Sequence, residues 1–344
     1  MKRILLYAGY QQTPFDSNTK IGLGGTEQAV IHISKELVKF GYKIVVSGQV
    51  LNSGMIDGVE WIDTANLHKK YHDQFDIIIG ISYIHFILEF EKYDATKIFW
   101  IHNTDYFEWF NGKLLENSKS LLNKVDKLVC LTQWHKTNFI KLFNPTSEIE
   151  VIGNGIDFDT FIGSPLKIKD RFIWSSAGDR GLFDLLDNWN NIRKSKPHAT
   201  LSLFYPSYAS YLKEDINKKI IDLNLKGITV YGNVNPEELH RHMLMSEFWC
   251  YLTDYEETYC ITALEMQAAR VLPITTTVAA LSETVNSGII LDNNETKWND
   301  AIKILGELGS ELMKKSLDAS SSWVKRQTWN SRSYDWKNLI DSIK

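Results

Sequence analysis

Two glutamates in the second half of the sequence have types and spacing that could bind a ligand. Glu257 and Glu265 stand eight positions apart, and the sequence predicts a helix that begins near Tyr259. Glu257 then lies in the loop before the helix, and Glu265 lies two turns inside it. Because the N-terminal end of a helix is electropositive, its backbone N–H groups can hold phosphates while the two carboxylates hold hydroxyls at either end of one ligand. Taken singly, either glutamate is better interpreted as a helix cap or a surface residue.

A histidine directly follows one of the predicted strands. The apolar run Lys97–Ile101 is typical of a buried strand, and His102 comes next. Ligands of open α/β sheets bind outside the carboxyl ends of the strands, where an imidazole can donate, accept or carry a proton. Taken alone, His102 is equally well interpreted as a structural histidine.

A loop rich in glycine precedes the first predicted helix. It contains Gly22, Gly24 and Gly25, and glycines before a helix let backbone N–H groups approach an anion closely. The spacing is not G-x-G-x-x-G, and Ser47-Gly48-Gln49 at the end of the second predicted strand contains no acidic residue for a ribose, which argues against a nicotinamide dinucleotide. A simple turn is the alternative interpretation.

A pair of histidines is a weak candidate for a metal site. His68 and His72 stand four positions apart, as metal ligands on one helix face would, but no glutamate lies between them. A solvated helix face is the preferred interpretation.

The elements that position these residues follow an alternating pattern in the first half of the chain. Short apolar runs bounded by glycine, asparagine or charge predict strands, with helix-like stretches between them, and this alternation is typical of βαβ units in a parallel sheet. The predicted strands are 4–8, 43–47, 76–81, 97–101, 127–131 and 148–152, and the predicted helices are 26–40, 113–124 and 134–143.

The same alternation restarts after a stretch rich in glycine, at 153–169. The predicted strands there are 172–175, 200–205, 228–230, 247–252, 272–276 and 288–291, and the predicted helices are 181–193, 208–223, 236–245, 259–269 and 296–308. The chain of 344 residues therefore predicts two α/β domains, at 1–153 and 154–320. The segment 321–344 is predicted to be helical, and its tryptophans Trp323, Trp329 and Trp336 require burial.

Composition and charge exclude several classes of protein. A formal net charge of −4 argues against a nucleic-acid partner. Cys130, Cys250 and Cys260 are far apart, which suggests neither a disulfide framework nor a zinc site. The apolar run after Met1 is too short for a signal peptide, and no stretch approaches the length of a membrane span. We therefore expect a cytoplasmic protein that is soluble or peripherally bound to a membrane.

The motifs together resemble a family. The E-x7-E pattern of Glu257 and Glu265, followed by Ala268-Ala269 and Pro273, resembles the donor-binding signature of retaining GT-B glycosyltransferases, most closely glycosyltransferase family 4. The segment Gly24-Gly25-Thr26-Glu27 resembles the glycine loop of that family, and His102 resembles its cleft histidine. The resemblance covers most of the chain.

Three further segments match the family in the expected order. Asn154-Gly155-Ile156-Asp157 resembles the N-G-[IV]-D turn that opens the second domain, 174–182 resembles an S-S-P-D-R-G-L variant, and 231–234 resembles the segment beside the nucleotide base. The resemblance implies a GT-B fold, with two Rossmann-like domains whose parallel sheets face across a central cleft. It also implies that the first domain serves the acceptor, that the second serves the donor, and that residues 321–344 cross back to the first.

The resemblance assigns roles to residues of this chain. His102, Arg180 and Glu257 would be catalytic. Glu265 would bind the ribose, Glu257 the hydroxyls of the donor sugar, and His102 a sugar hydroxyl or the developing oxocarbenium region. The expected donor-binding residues are Gly24, Gly25, Asn154, Ser175, Arg180, Tyr231, Gly232, Asn233, Val234, Thr258, Tyr259, Cys260, Ile261 and Glu265.

The implied reaction is transfer of a sugar from a UDP- or GDP-sugar to a glycan or other hydroxyl acceptor with retention of configuration. No cofactor or metal is expected, because Arg180 and helix N-termini would neutralise the leaving diphosphate. The chain departs from the family at four positions. Ser175 stands where an arginine is usual, Arg180 stands where a lysine is usual, and Cys260 and Arg270 stand where glycines are common.

Two other functions stay open from the sequence. A nucleotide-sugar epimerase of GT-B fold would use a similar site, and a non-catalytic nucleotide-sugar-binding protein would fit the loss of one cation. Peripheral membrane contact is a further possibility, because Trp134, Lys136, Phe139, Lys141 and Phe143 could form a basic-aromatic patch. An ordinary amphipathic helix packed on the sheet is the preferred interpretation of that patch.

Overall fold

A computed structural model describes residues 1–9, 13–104, 108–109, 113–114, 118–163, 166–206 and 209–343, with the backbone alone at 108–109, 113–114 and 118–119. The chain divides into two compact units. Unit 1 comprises Met1–Thr19, Gly25–Gly155 and Trp329–Lys344, and unit 2 comprises Lys20–Gly24 and Ile156–Thr328. The segment 321–344 thus contributes its first residues to unit 2 and the rest to unit 1.

Unit 1 is built on parallel strands, as the apolar runs of the sequence predict. Its strands are β1 (Arg3–Gly9), β2 (Lys43–Gly48), β3 (Gly54–Ile56), β4 (Val59–Asp63), β5 (Ile77–Ile81), β6 (Thr96–Trp100), β7 (Glu108–Trp109), β8 (Lys113–Leu114), β9 (Lys127–Cys130) and β10 (Glu148–Val151). Its helices are α1 (Gly25–Lys39), α2 (Thr64–Lys70), α3 (Phe86–Glu89), α4 (Ser118–Leu122), α5 (Gln133–Phe143) and, at the end of the chain, α13 (Trp329–Ser342).

Eight of these strands form one sheet in the order β10-β9-β6-β5-β1-β2-β4-β3, in which only β3 is antiparallel to its neighbour. The hairpin β3–β4 and the helices α2 and α3 are absent from the sequence prediction, because they are too short to show a periodic pattern. The predicted helix 113–124 is wrong at its start. Lys113–Leu114 instead pairs with Glu108–Trp109, and α4 begins only at Ser118.

The helix at the end of the chain completes the core of unit 1. Trp336 is fully buried in α13, and its ring lies 4.8 Å from that of Trp100 in β6. The ring of Trp329 stacks on His32 of α1 at 5.2 Å. Lys2 donates to the carbonyl of Ile340 at 2.9 Å. Aromatic burial therefore ties the last helix to the sheet and to α1.

Unit 2 contains a second sheet whose strands are all parallel. Its strands are β11 (Arg171–Ser175), β12 (Thr200–Phe204), β13 (Ile228–Gly232), β14 (Phe248–Tyr251), β15 (Leu272–Thr276) and β16 (Ile289–Leu291). Its helices are α6 (Leu182–Ser195), α7 (Leu212–Asp222), α8 (Pro236–Met245), α9 (Ile261–Ala268), α10 (Leu281–Thr284), α11 (Lys297–Glu307) and α12 (Ser310–Val324). Short 3-10 turns occupy Phe158–Phe161 and Gly178–Arg180.

The strand order of unit 2 marks where a ligand would bind. The order is β13-β12-β11-β14-β15-β16, so the chain leaves β11 toward one edge and returns at β14 to run toward the other. The loops after β11 and β14 therefore diverge at a topological switch point, which is the usual binding crevice of an open α/β sheet.

None of the described helices combines the length and the apolar composition that crossing a membrane would need.

Candidate active site

The switch point of unit 2 brings together two residues that lie far apart in the sequence. Arg180 ends the loop after β11, and Glu257 lies in the loop after β14, yet Arg180 Nε and Glu257 Oε1 are 4.0 Å apart. Both side chains are largely buried, at 22% and 17% exposure. A cation and a carboxylate thus meet at the position where the fold offers a ligand crevice.

The guanidinium of Arg180 is held on two sides. Its NH1 donates to Asp179 Oδ2 at 2.8 Å, and its central carbon lies 3.2 Å from the centroid of the Tyr255 ring. The next residue, Gly181, has φ 101° and precedes α6, a backbone angle that side chains rarely adopt. Stacking on an aromatic face suits the planar guanidinium in particular. The cation of the site is therefore positioned before any ligand arrives.

The carboxyl group of Glu257 is oriented by a buried phenol. Tyr251, the last residue of β14 and fully buried, donates from its hydroxyl to Glu257 Oε1 at 2.6 Å. The backbone of Glu257 is also pinned, since its N–H donates to Tyr255 O and its carbonyl accepts from the N–H of Ala280. Burial raises the pKa of the Glu257 carboxyl, although the hydrogen bond from Tyr251 and the charge of Arg180 oppose that shift.

The helix after this loop begins later than the sequence predicts. Cys260 has φ 68° and is the cap residue of α9, so the helix starts at Ile261 rather than at Tyr259. A residue in the left-handed region cannot be part of a right-handed helix. Thr258 and Tyr259 are buried before it. Glu265 therefore lies little more than one turn inside the helix, and its Oε1 is 3.8 Å from Nε2 of His240 in α8.

The end of β13 supplies a third loop to this edge of the sheet. Tyr231 is 39% exposed, and its ring stacks on Phe204 with centroids 4.8 Å apart. Gly232 follows with φ 74°, and Asn233 and Val234 lead toward α8. A side chain at Gly22, in the glycine loop, would come within 2.9 Å of the Asn233 amide.

All of the remaining predicted site residues except Gly24 belong to unit 1. Gly25 is the first residue of α1, while Gly24 is grouped with unit 2. Asn154 is buried, its carbonyl accepts from Arg332 Nε at 3.2 Å, and its side-chain Oδ1 has no hydrogen-bond partner within the described part of the protein. The predicted set therefore falls into two groups: Ser175, Arg180, Glu257, Glu265 and their loop neighbours in unit 2, and Gly25, His102 and Asn154 in unit 1.

His102 is a buried histidine beside an aromatic ring. It lies just beyond β6, is 9% exposed, and its ring is 4.5 Å from that of Trp100. Burial and the nearby His135 lower the pKa of His102 to about 3. A neutral imidazole can bind a hydroxyl as donor or acceptor, but it carries no proton to give as an acid near neutral pH.

Sequence reasoning missed the aromatic residues that surround the charged pair. Tyr251 and Tyr255 lie six and two positions before Glu257. Nothing in their spacing distinguishes them from core residues, because their contacts depend on the turn between β14 and α9. The only signal was their closeness in sequence to Glu257.

The structure also shows the contacts of His68 and of the basic-aromatic patch in α5. His68 contacts Glu89 and Tyr93, each at 2.8 Å, and the part of the chain that the structure describes holds no cluster of three or more residues suited to a metal ion. In α5, Phe139 is fully buried, and Lys136 donates to the carbonyl of Ile149 at 2.7 Å. The aromatic residue at the centre of the basic-aromatic patch therefore belongs to the core.

Comparison with known proteins gives a relative that matches in sequence over part of the chain. No family model matches the chain. The lipopolysaccharide 1,2-N-acetylglucosaminetransferase of Salmonella typhimurium is 24% identical over 174 residues, which cover 44% of this chain and 46% of the relative. The match thus spans about half the length of that curated relative.

Solved structures match over nearly the whole chain. Sucrose-phosphate synthase from Thermosynechococcus elongatus has a TM-score of 0.77 at 13% identity, with 99% of each chain covered. HepE from Anabaena, solved with UDP-glucose, has a TM-score of 0.75 at 14% identity and covers 99% of this chain and 100% of its own. A glycosyltransferase from Rickettsia africae has a TM-score of 0.74 at 17% identity, with 99% and 98% covered. The chain is therefore an α/β protein with the GT-B fold of glycosyltransferases, as the sequence predicts.

Proposed function

We propose that this protein is a glycosyltransferase that moves a sugar from a nucleotide diphosphate sugar to a hydroxyl acceptor, with retention of configuration and without a metal. The observation that carries the proposal is the pairing of Arg180 with Glu257 at the switch point of unit 2, 4.0 Å apart. A sugar nucleotide presents a diphosphate beside a ring of hydroxyls, which are the chemical partners of a guanidinium and a carboxylate.

Unit 2 would bind the donor. Arg180 and the backbone N–H groups of Thr258, Tyr259, Cys260 and Ile261 are proposed to contact the diphosphate, because a helix N-terminus favours anions. Glu265 would accept from ribose hydroxyls, and Tyr231–Val234 would lie beside the base. A nucleotide-sugar donor is supported by the structural neighbour HepE, which was solved with UDP and glucose and with UDP-glucose.

The chemistry would depend mainly on charge stabilisation. When the bond between the sugar and the diphosphate breaks, negative charge grows on the leaving group, and a prepositioned cation lowers the barrier most at that moment. Arg180 supplies that cation, and Glu257 would hold the hydroxyls of the transferred sugar. The leaving diphosphate itself would take the acceptor proton on the same face, so no separate base is required.

His102 of unit 1 is proposed to bind a sugar hydroxyl as a neutral imidazole. Its lowered pKa supports that role rather than one as an acid near neutral pH. The acceptor would be a sugar or glycan. Another structural neighbour, a TarM mutant of S. aureus, was solved in complex with fondaparinux, α-GlcNAc-glycerol and UDP, which is consistent with acceptors of that kind.

A panel of ligands tests the donor assignment. Thermal unfolding is measured with UDP, GDP, ADP and their sugars, and a ligand at a hundred times its dissociation constant adds about 2.7 kcal/mol to stability. Product analysis with and without sugar acceptors then separates transfer from epimerisation, and the anomeric configuration of the product is read by NMR. Activity that a chelator abolishes would contradict the absence of a metal, and donor binding without turnover would identify a binding protein.

Substitution of Arg180 tests the site itself. Arg180→Lys is expected to be impaired and Arg180→Ala nearly inactive while folded, since loss of one such donor costs about 10²- to 10³-fold in rate. Arg270 is a matched control, because it also pairs with an aspartate, Asp318, at 2.6 Å in the same unit. Arg270→Ala should keep its activity. An active Arg180→Ala variant would show that charge is neutralised elsewhere.

A further inference from the structure

The buried phenol of Tyr251 contacts Glu257 at the switch point. Its hydroxyl donates to Glu257 Oε1 at 2.6 Å, in the loop after β14. The same Oε1 lies 4.0 Å from Nε of Arg180, which ends the loop after β11. The Tyr251 hydroxyl therefore holds the carboxylate oxygen that faces the cation of the site.

The ring of Tyr251 is packed among other aromatic rings. It is fully buried, lies 4.7 Å from the ring of Trp249, and lies 5.3 Å from the ring of Trp174. Its carbonyl accepts from the Thr275 hydroxyl at 3.1 Å in β15. A hydrogen-bond donor fixed in this way adopts its geometry before the ligand binds, which is how a supporting residue holds a functional group in place.

The contact leaves only part of the Glu257 carboxylate for a ligand. Oε1 is the atom that faces both Tyr251 and Arg180, and a carboxylate has two oxygens. Oε2 is then the oxygen available to hydroxyls of a sugar.

We infer that Tyr251 is a positioning residue that fixes the Glu257 carboxylate for binding the donor sugar. The inference rests on the proposed function of the site. It concerns a residue that touches no ligand itself and acts through Glu257.

The ionisation of Glu257 depends on the groups around it. Burial raises the pKa of its carboxyl, and Asp179 raises it further, whereas the hydrogen bond from Tyr251 and the charge of Arg180 lower it. The Cys260 thiol also faces this carboxylate, and burial raises the pKa of that thiol, so Cys260 adds no charge there. Removal of the Tyr251 hydroxyl therefore raises the pKa of Glu257, which binds its proton at higher pH.

The test substitutes Tyr251→Phe, which removes one oxygen atom and keeps the buried ring. The pKa of Glu257 is measured by carbon NMR of labelled carboxyl groups, with the signal assigned by Glu257→Gln. We expect that pKa to be higher in Tyr251→Phe than in the wild type. An unchanged pKa overturns the inference, whether or not the protein has transferase activity.

Turnover of a sugar nucleotide gives the functional readout. In Tyr251→Phe, kcat/KM is expected to fall about ten- to a hundredfold, because one hydrogen bond to a charged group is lost. The acid limb of the pH profile of kcat/KM is expected to move to higher pH. Binding of the free nucleotide should be unchanged. A fall in kcat/KM with an unmoved acid limb would indicate a merely structural role and overturn the inference.

Tyr7→Phe is the matched control. Tyr7 is also a buried tyrosine that donates to a carboxylate, Glu89, but it lies in unit 1. Its variant should lose stability without any change in the acid limb. Glu257→Gln keeps an oxygen that accepts from Tyr251 but cannot ionise, so the acid limb of its pH profile should disappear. This variant also serves if Tyr251→Phe does not fold. An acid limb that persists in Glu257→Gln would then overturn the inference. A wild type without turnover refutes the proposed function, while the NMR titration still decides the role of Tyr251.

Discussion

At the scale of single residues, Arg180 is the cation that we propose for the diphosphate. Ser175 stands where the family that the chain resembles has a second cation. The position of Arg180 depends on Tyr255, whose ring centroid lies 3.2 Å from the guanidinium carbon. Such contacts are worth about 0.5 to 2 kcal/mol. Tyr255 therefore contributes to the placement of the Arg180 charge.

Replacement of Tyr255 tests that dependence. Tyr255→Leu should lower kcat/KM about three- to thirtyfold, the rate equivalent of a lost cation–π contact, whereas Tyr255→Phe should retain it because the ring remains. Steady-state kinetics, with the sugar nucleotide that the ligand panel identifies as the donor, provides the measurement. Tyr211→Leu, at an exposed tyrosine of the same unit, serves as the control. Equal activity in Tyr255→Leu and Tyr255→Phe would show that the ring does not hold Arg180.

The two glutamates should have separable effects. Glu265→Gln is expected to weaken binding of the free nucleotide by roughly 1 to 3 kcal/mol, because a ribose hydroxyl loses its charged partner. Glu257→Gln should leave nucleotide binding intact and reduce turnover of the sugar nucleotide. Calorimetry with the nucleoside diphosphate measures the difference, and equal losses in both variants would remove the assignment.

His102 predicts a pH dependence of stability. Its pKa in the folded protein is about 3, below its ordinary value of 6.5, so the unfolded chain binds the proton first as the pH falls. Stability from this group is complete above about pH 6.5 and is lost as the pH falls toward 3, by at most about 1.4 kcal/mol per pH unit. Urea unfolding between pH 8 and 4.5 should show this slope.

A variant identifies the histidine responsible. His102→Gln should reduce the slope of stability against pH, while His198→Gln, at an exposed position, should leave it unchanged. His135 contributes in the same direction, since burial lowers its pKa to about 4. An identical slope in wild type and His102→Gln would mean that His102 is not the neutral buried group described here.

At the scale of elements, the start of α9 depends on an unusual backbone angle at Cys260, whose φ is 68°. The family that the chain resembles commonly has glycine at the position of Cys260, and glycine adopts this angle without a steric cost. Cys260→Gly should therefore keep the melting temperature within a few degrees, because relief of a cost of about 1 kcal/mol offsets the loss of the thiol.

A cysteine-to-glycine substitution in a strand should have a larger effect on stability than Cys260→Gly. Cys250 lies fully buried in β14 with ordinary strand geometry. Cys250→Gly should cost roughly 2 to 3 kcal/mol, from the cavity and from the added freedom of the unfolded chain. Thermal unfolding compares the two variants. A large loss of stability in Cys260→Gly would show that the thiol packing, rather than the backbone angle, governs that position.

At the scale of the whole molecule, the last helix of the chain is part of the first unit. Its tryptophans Trp329 and Trp336 are buried, together with Leu339 and Ile340. Burial of side chains this large contributes about 1.5 to 3 kcal/mol each. The stability of unit 1 therefore depends on residues that are more than 300 positions from its first strand.

Truncation after Thr328 measures that dependence. The shortened chain should be insoluble or should unfold at a much lower temperature, while removal of only Ile343 and Lys344 should have a small effect. Hydrogen exchange should show lost protection in β1, β5 and β6 and retained protection in β11 and β14. A truncated protein that melts like the full chain would contradict this role of α13.

Much of the architecture is predictable from the sequence. Apolar runs bounded by glycine, asparagine or charge indicate β1, β2, β11 and β15 nearly to the residue, because a strand buried on both faces must be apolar throughout. Their alternation with helical stretches indicates two parallel sheets. The short hairpin β3–β4 could not be predicted, since its few residues are partly exposed and carry no periodic signal.

The candidate site was only partly contained in the sequence. The positions of Glu257 and Glu265 around the start of a predicted helix follow from local patterns, whereas Arg180 is assigned by the resemblance to a family. The contacts of Tyr251 and Tyr255 with Glu257 and Arg180, and the neutral state of His102, came only from the tertiary structure. The physical reason is that hydrogen bonds, stacking and desolvation depend on distances between elements that are remote in sequence, and local residue patterns carry no information about those distances.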